Sequence, residues 1–427
     1  MRKVDVVNVK TDPAAVAVRV VEWARDGHFA EAERVFAKRL RAVVSAKTLR
    51  LGWTGELAAI GAVVEIGRPV TEPGDVGLVR VRVPVTGEHG ALDVFMSVDT
   101  DGKLHGLRIA SATPTGWQPP PYADPCRFTE HEISLDTGPL PVPGTLTLPR
   151  GTGPWPGVVL LSGGGPFDRD ETSGANKPLK DLAWGLASRG VAVTRFDLAT
   201  FTRPELASAP GFTMSQEYVP HAVAAIRLLQ QQSTVDPNRV FVLGHSMGGR
   251  VAPRVAVAEK SVAGLVILAG DASPMHHAAA RVVRYLVEAE PDFVPAAMLE
   301  DIGRQVALVD SPDLSPTTPA ADLPFAWPGT YWLELRDDDP VHTTITVDKP
   351  VFIAQGARDY QVTVADDLAR WQAGLGDRPG VTIRVYAADD HLFFPGEGPS
   401  TPAGYEPPQH VDPAVIADVA DWLNVPR

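Results

Sequence analysis

From residue 157 onward, short apolar segments alternate with amphipathic stretches of helical spacing, and this alternation restricts the fold more than any other feature of the chain. The apolar segments lie at 157–161, 192–196, 240–243, 265–269, 351–354 and 382–386, and the helical ones at about 178–189, 215–231, 247–259, 363–374 and 411–424. A buried strand, a helix and another buried strand in succession require a crossover connection, which makes the strands parallel. Parallel strands in turn need helices on both faces. The spacing therefore predicts an α/β unit with a mostly parallel sheet, preceded by two short strands at about 127–135 and 142–148. One connection is out of scale. About eighty residues separate Gly270 from Pro350, far more than a βα unit uses, so 271–349 reads as a cap inserted over one end of the sheet. Its Phe325, Trp327, Tyr331 and Trp332 are candidates either to line an acyl pocket or to anchor the cap.

The chain before that point has a different rhythm. Val16, Val20, Val21, Trp23 and Ala24, then Ala30, Ala32, Val35, Phe36 and Leu40, recur at helical spacing with a break at Gly27, and 45–60 continues the helical pattern. Alternating segments follow at 62–70, 76–86, 90–98 and 103–111, parted by Pro-Gly, Gly-Glu-His-Gly and Asp-Gly turns. Helices and then an antiparallel meander form an α+β pattern. The prolines of Trp117-Gln-Pro-Pro-Pro-Tyr-Ala-Asp-Pro125 fit neither a helix nor a central strand. The expectation is a smaller α+β domain over 1–118 and a larger α/β domain over 119–427, a division that suits 427 residues.

A net charge of −13 with no basic stripe speaks against nucleic acid and anionic membranes as partners and favours a neutral or cationic small molecule. Cys126 is the only cysteine, which excludes an internal disulfide and a Cys-rich zinc site. Charge interrupts the first ten residues before a secretory apolar region forms, and runs such as 262–269 fall short of the ~20 residues that span a bilayer. A soluble cytoplasmic protein is expected.

The chemistry is concentrated where the strand at 240–243 runs through Gly244-His245-Ser246-Met247-Gly248 into a helical stretch. A serine in a strained strand-to-helix turn, flanked by glycines that permit close backbone approach, is the setting of a nucleophile elbow. A hydroxyl is a weak nucleophile at neutral pH and needs a base, which needs a third group to fix its tautomer. In sheets of this kind the order along the chain is serine, acid, histidine. His391 follows the last strand and fits the base; Asp359, in the turn after 351–354, fits the acid. Asp389 and Asp390 are nearer in sequence, but immediate neighbours seldom point at the same ring. The developing oxyanion needs two backbone donors: Met247, after the nucleophile, and Gly164, within Ser162-Gly-Gly-Gly165 after the first buried strand. His245 reads as structural, and the acid-rich 168–172 as a salt-bridged loop rather than a metal site. No metal and no cofactor is expected.

Together the stretches 163–172, 176–190, 244–248 and 355–362, with His391-Leu-Phe, resemble a bacterial family of α/β-hydrolase carboxylesterases that carry a small amino-terminal domain of the DUF3887 kind. The resemblance covers nearly the whole chain and is strongest from about 126 onward. It implies the α/β-hydrolase fold and metal-independent serine carboxylesterase activity on small esters through Ser246, Asp359 and His391. The chain departs from the family pattern at Ser162-Gly163-Gly164-Gly165, where relatives have His-Gly-Ser-Gly, and at Leu198-Ala199, where they have Lys-Arg. Both departures bear on pocket charge and substrate choice. An acyltransferase, lactonase or thioesterase would use the same three residues, and a non-catalytic binding protein is the reading from another class. The first domain resembles cystatin-like or NTF2-like domains, which shape a pocket or pair subunits into a homodimer.

Overall fold

A computed structural model describes residues 12–73, 78–111, 117–137, 140–290, 294 and 297–425. The chain divides into two units, Met1–Gly116 and Trp117–Arg427. In the first, Asp12 caps helix Pro13–Arg25 by accepting from the Ala14 N–H at 3.0 Å, and Gly27, at φ +78°, makes the left-handed turn that ends it. Periodicity predicts one further helix up to residue 44; the structure has two, Phe29–Arg34 and Lys38–Val43. The chain between them is pinned to a strand. Leu104 N–H donates to the Val35 carbonyl at 2.9 Å and Ala37 N–H donates to the Leu104 carbonyl at 2.7 Å, so a long-range ladder overrides local helical preference.

Ser45 caps the next helix, Ala46–Ile60, and the sheet follows. Its strands are β1 (Val63–Ile66), β2 (Val70–Pro73), β3 (Leu78–Gly87), β4 (Ala91–Asp99) and β5 (Leu104–Ser111). They pair antiparallel in the order β1-β3-β4-β5, with β2 also on β3. The strand expected over 62–70 ends at Ile66, and a second one begins at Val70. Pro69 has no N–H for a ladder, and Gly67 N–H turns to the Pro84 carbonyl at 2.7 Å. The alternation works as sequence implies: Val81, Val83, Val85, Leu92, Val94, Met96 and Val98 point inward onto Ala17, Val20, Val21 and Trp53. This unit has a core of its own.

The second unit is built on eight strands: β6 (Phe128–Leu135), β7 (Val142–Pro149), β8 (Trp155–Leu161), β9 (Ala192–Phe196), β10 (Val235–His245), β11 (Leu265–Leu268), β12 (Val351–Gly356) and β13 (Val381–Tyr386). Their order is β13-β12-β11-β10-β8-β9-β7-β6, parallel from β13 to β9 and antiparallel at β7 and β6. β10 starts earlier than its apolar run because Val235 pairs with Trp155 before an irregularity that contains Pro237. Helices Met214–Gln230, Met247–Ala258 and Ala369–Leu375 pack one face of this sheet, and Pro178–Ala187 and Pro413–Asn424 pack the other. Each leucine, isoleucine or valine fully buried between these layers contributes about 1.5–3 kcal/mol, which is why apolar periodicity predicts the layering so directly.

The long insertion is helical, with Met275–Ala289, Ala297–Asp310, Gly329–Arg336 and Pro340–Val347. Its Val309, Leu323, Tyr331, Trp332 and Leu335 join the core on the Met247–Ala258 side. Among the described residues no helix is long and apolar enough to cross a membrane.

Candidate active site

Ser246 sits between β10 and helix Met247–Ala258 at φ +52° and ψ −120°, a left-handed conformation that a serine adopts only when its surroundings hold it there. Ser246 N–H donates to the Leu268 carbonyl at 2.9 Å, anchoring the turn to β11. The glycines earn their places by contact. A Cβ on Gly248 would stand 2.5 Å from the Leu161 carbonyl oxygen, and one on Gly244 would collide with the Gly248 carbonyl. A side chain at Gly248 would push the helix off β8, and one at Gly244 would push it off β10.

His391 and Asp359 are brought together by the ends of β12 and β13. His391 Nδ1 lies 2.7 Å from Asp359 Oδ2, and both residues are buried. Asp359 also accepts from Gln355 Nε2 at 3.0 Å, Gln361 N–H at 2.8 Å and Val362 N–H at 2.9 Å, so its orientation is set by four donors. A carboxylate only accepts, hence Nδ1 carries the proton in this contact. Asp390 is occupied elsewhere, its Oδ1 accepting from Leu392 and Phe394 N–H at 3.0 Å. The histidine loop is held by Arg358, whose guanidinium donates to the carbonyls of Gly398, Ala388 and Glu397.

The glycine loop after β8 lies against the elbow. Gly163 N–H donates to Glu171 Oε1 at 2.8 Å, and its carbonyl accepts the Tyr218 hydroxyl at 2.7 Å, so both backbone groups of Gly163 are engaged. A Cβ on Gly163 would be 3.3 Å from Ser246 Cβ, and one on Gly164 would be 3.3 Å from Met247 Cβ. Gly164 and Met247 are thus neighbours, and among the described residues neither amide has a protein acceptor.

Two residues that the sequence did not single out for the site organise it. Glu171, buried and at φ +54°, accepts from Gly163 and also faces His245 Nδ1 at 2.9 Å. His245 Nε2 lies 2.8 Å from the His391 carbonyl. Both ring nitrogens face acceptors, an arrangement that favours the protonated ring: burial opposes its charge, but Glu171 first, then the His391 carbonyl and Asp359, raise its pKa above the usual histidine value. The residue read as structural bridges the glycine loop to the histidine loop. The only hint in sequence was the acid-rich 168–172, whose other members are salt-bridged: Arg169 to Asp197 and Glu132, and Asp170 to Arg195 and Lys177.

The insertion's aromatic residues divide. Tyr331 and Trp332 are buried anchors, Phe325 is exposed, and Trp327 reaches the glycine loop, its Cη2 lying 3.5 Å from where a Gly164 Cβ would be. Among the described residues the one group with metal-ligand geometry is His276, His277 and Asp310, whose ligand atoms lie within 4.8 Å of one another; it belongs to the insertion. His276 Nε2 and His277 Nε2 are 2.8 and 3.3 Å from Asp310 Oδ1, as expected for hydrogen-bonded packing between two helices.

Comparison with known proteins places this geometry in context. The model of the "Alpha/beta hydrolase family" matches residues 158–405. "Esterase EstD" of Thermotoga maritima is 34% identical over 336 residues, which span 79% of this chain and 77% of that protein. Among solved structures, the esterase domain of a Rhodothermus marinus protein is 17% identical with a TM-score of 0.42, covering 69% of this chain and 97% of that one. An esterase from Pyrococcus furiosus is 16% identical with a TM-score of 0.42, covering 73% and 97%.

Proposed function

On the premise that this chain belongs to the alpha/beta hydrolase family and is a carboxylic ester hydrolase, we propose that it is a serine carboxylesterase whose nucleophile is Ser246. His391 Nε2 takes the Ser246 proton as Oγ attacks the ester carbonyl, and Asp359 holds the imidazole and stabilises the imidazolium that forms. The amides of Met247 and Gly164 receive the oxyanion of the tetrahedral intermediate. Collapse expels the alkoxide, which takes the proton from His391 and leaves an acyl group on Ser246. Water, activated by the same histidine, then attacks the acyl-enzyme and releases the acid. The Glu171–His245 bridge acts through position, tying the oxyanion loop to the base.

The observation that carries this reading is the buried His391–Asp359 pair, at 2.7 Å, in the unit whose β10 delivers a serine at positive φ. A fluorophosphonate probe should label the wild-type protein at Ser246 and leave Ser246→Ala unlabelled and without ester turnover, with an unchanged unfolding midpoint. Asp359→Asn and His391→Ala should each lower kcat by roughly 10³–10⁴-fold, without adding to the loss in Ser246→Ala. Labelling or turnover by the alanine variant would overturn the assignment.

A further inference from the structure

Helix Met214–Gln230 carries a carboxyl that this mechanism leaves unused. Glu217 is only 3% exposed, yet among the described residues no Lys, Arg or His side chain pairs with its carboxyl. Its partners are neutral: the Thr200 hydroxyl donates to Oε1 at 2.5 Å and the Tyr331 hydroxyl to Oε2 at 2.8 Å. The preceding residues, Leu198 and Ala199, are buried and apolar, so the chain around it offers no cation. Burial pushes the carboxyl above its ordinary range, and the two hydroxyls together with the Thr200 backbone offset this only in part.

Glu217 lines a narrow pocket of about 20 Å³, room for roughly one water-sized group such as an ammonium head, walled by Gly165, Pro166, Phe212, Trp327 and Tyr331. Gly165 follows the proposed oxyanion donor Gly164 directly, so the pocket opens beside the place where the reacting carbonyl is held. Trp327 and Tyr331 stand with ring centroids 4.7 Å apart. Aromatic faces attract a cation, and a buried carboxylate forms its strongest hydrogen bonds with one. An alkyl group would leave the carboxyl without a counter-charge, and an anion would be repelled.

We propose that this pocket is a subsite for a positively charged amino group, so that the preferred substrates are esters bearing an ammonium on the acyl chain or on the alkoxy part. The proposal rests on Ser246 chemistry, and the net charge of −13 draws such substrates toward the protein. In the acyl arm of the test, wild-type kcat/KM is compared for the ethyl ester of an ω-aminoalkanoic acid and for its isostere with methyl in place of ammonium. The alkoxy arm makes the same comparison between ω-aminoalkyl and alkyl esters of one acid. At neutral pH one arm should favour the ammonium ester by about tenfold or more, because a site built for a polar group discriminates against its absence, and that arm identifies which side of the ester the pocket holds. Glu217→Gln should bring the ratio toward one, and Trp327→Ala should reduce it. A wild-type protein that is labelled at Ser246 and hydrolyses these esters with no ammonium preference in either arm overturns the subsite alone, whatever the folding of the variants. A wild-type protein that is neither labelled nor active on any of them overturns the Ser246 reading as well.

Discussion

Three aspartates share the neighbourhood of His391, and among the described residues one of them reaches its ring. Asp390 is spent on the amides of its own turn, and Asp359, 32 residues upstream, meets Nδ1. Asp389 is fully buried, and the side chain that faces its carboxyl is another acid, Asp412. Burial first, then the charge of Asp412 and a hydrogen bond with it, then the charge of Asp390, push its carboxyl up to about 7, although Arg358 opposes this. A folded-state pKa above the unfolded value means that the stability contributed by the neutral acid is complete below about pH 4 and is lost as pH rises through about 7. Asp389→Asn should accordingly match the wild-type unfolding midpoint at low pH, gain on it between those limits and hold the gain above them. Thermal melts across that range check this, and parallel curves for the two proteins would contradict it. Adjacency in sequence said nothing about which carboxylate serves the histidine, since side chains of neighbours along a turn diverge.

Helix Met247–Ala258 begins at the elbow and is fastened to the insertion by charge. Arg250, 1% exposed, pairs with Asp271 at 2.6 Å and with Asp338 at 2.9 Å, and Arg254 pairs with Asp338 at 2.6 Å and with Glu334 at 3.0 Å. A pairing of this kind contributes little net stability, but removing one partner strands the others. Arg250→Met, which keeps the apolar bulk, should lower unfolding free energy by about 3–5 kcal/mol because Asp271 then lies buried without a cation. Denaturant unfolding reads this as a reduced midpoint with unchanged slope; a loss within about 0.5 kcal/mol would show that the pairs are ornamental. The helix itself was legible from its period. Its charged fastening was not, because Arg250 and Asp338 stand 88 residues apart.

At the scale of the molecule, each unit has its own hydrophobic core, Val20, Trp53, Val83 and Val94 among those in the first, and the two faces of the eight-stranded sheet in the second. Trp117 belongs with the second unit: its indole N–H donates to Asp181 at 2.7 Å and its ring packs edge-on against Trp184. A chain of residues 117–427 should therefore fold alone, react with a fluorophosphonate and hydrolyse a small activated ester; a well-folded product that does neither would show that the first unit completes the site. The sequence by itself determined the succession of strands and helices and the strand-to-helix turn at Ser246, because burial has a period of two in strands and 3.6 in helices and such a turn is local. Only the tertiary structure decided that Gly163 is spent while Gly164 stays free, that Glu171 and His245, 74 residues apart, join two loops, and that Glu217, Thr200 and Tyr331 close on one pocket. A repeating pattern reports which face of an element is buried, whereas the identity of a partner on another element is settled only when the sheet brings their ends together.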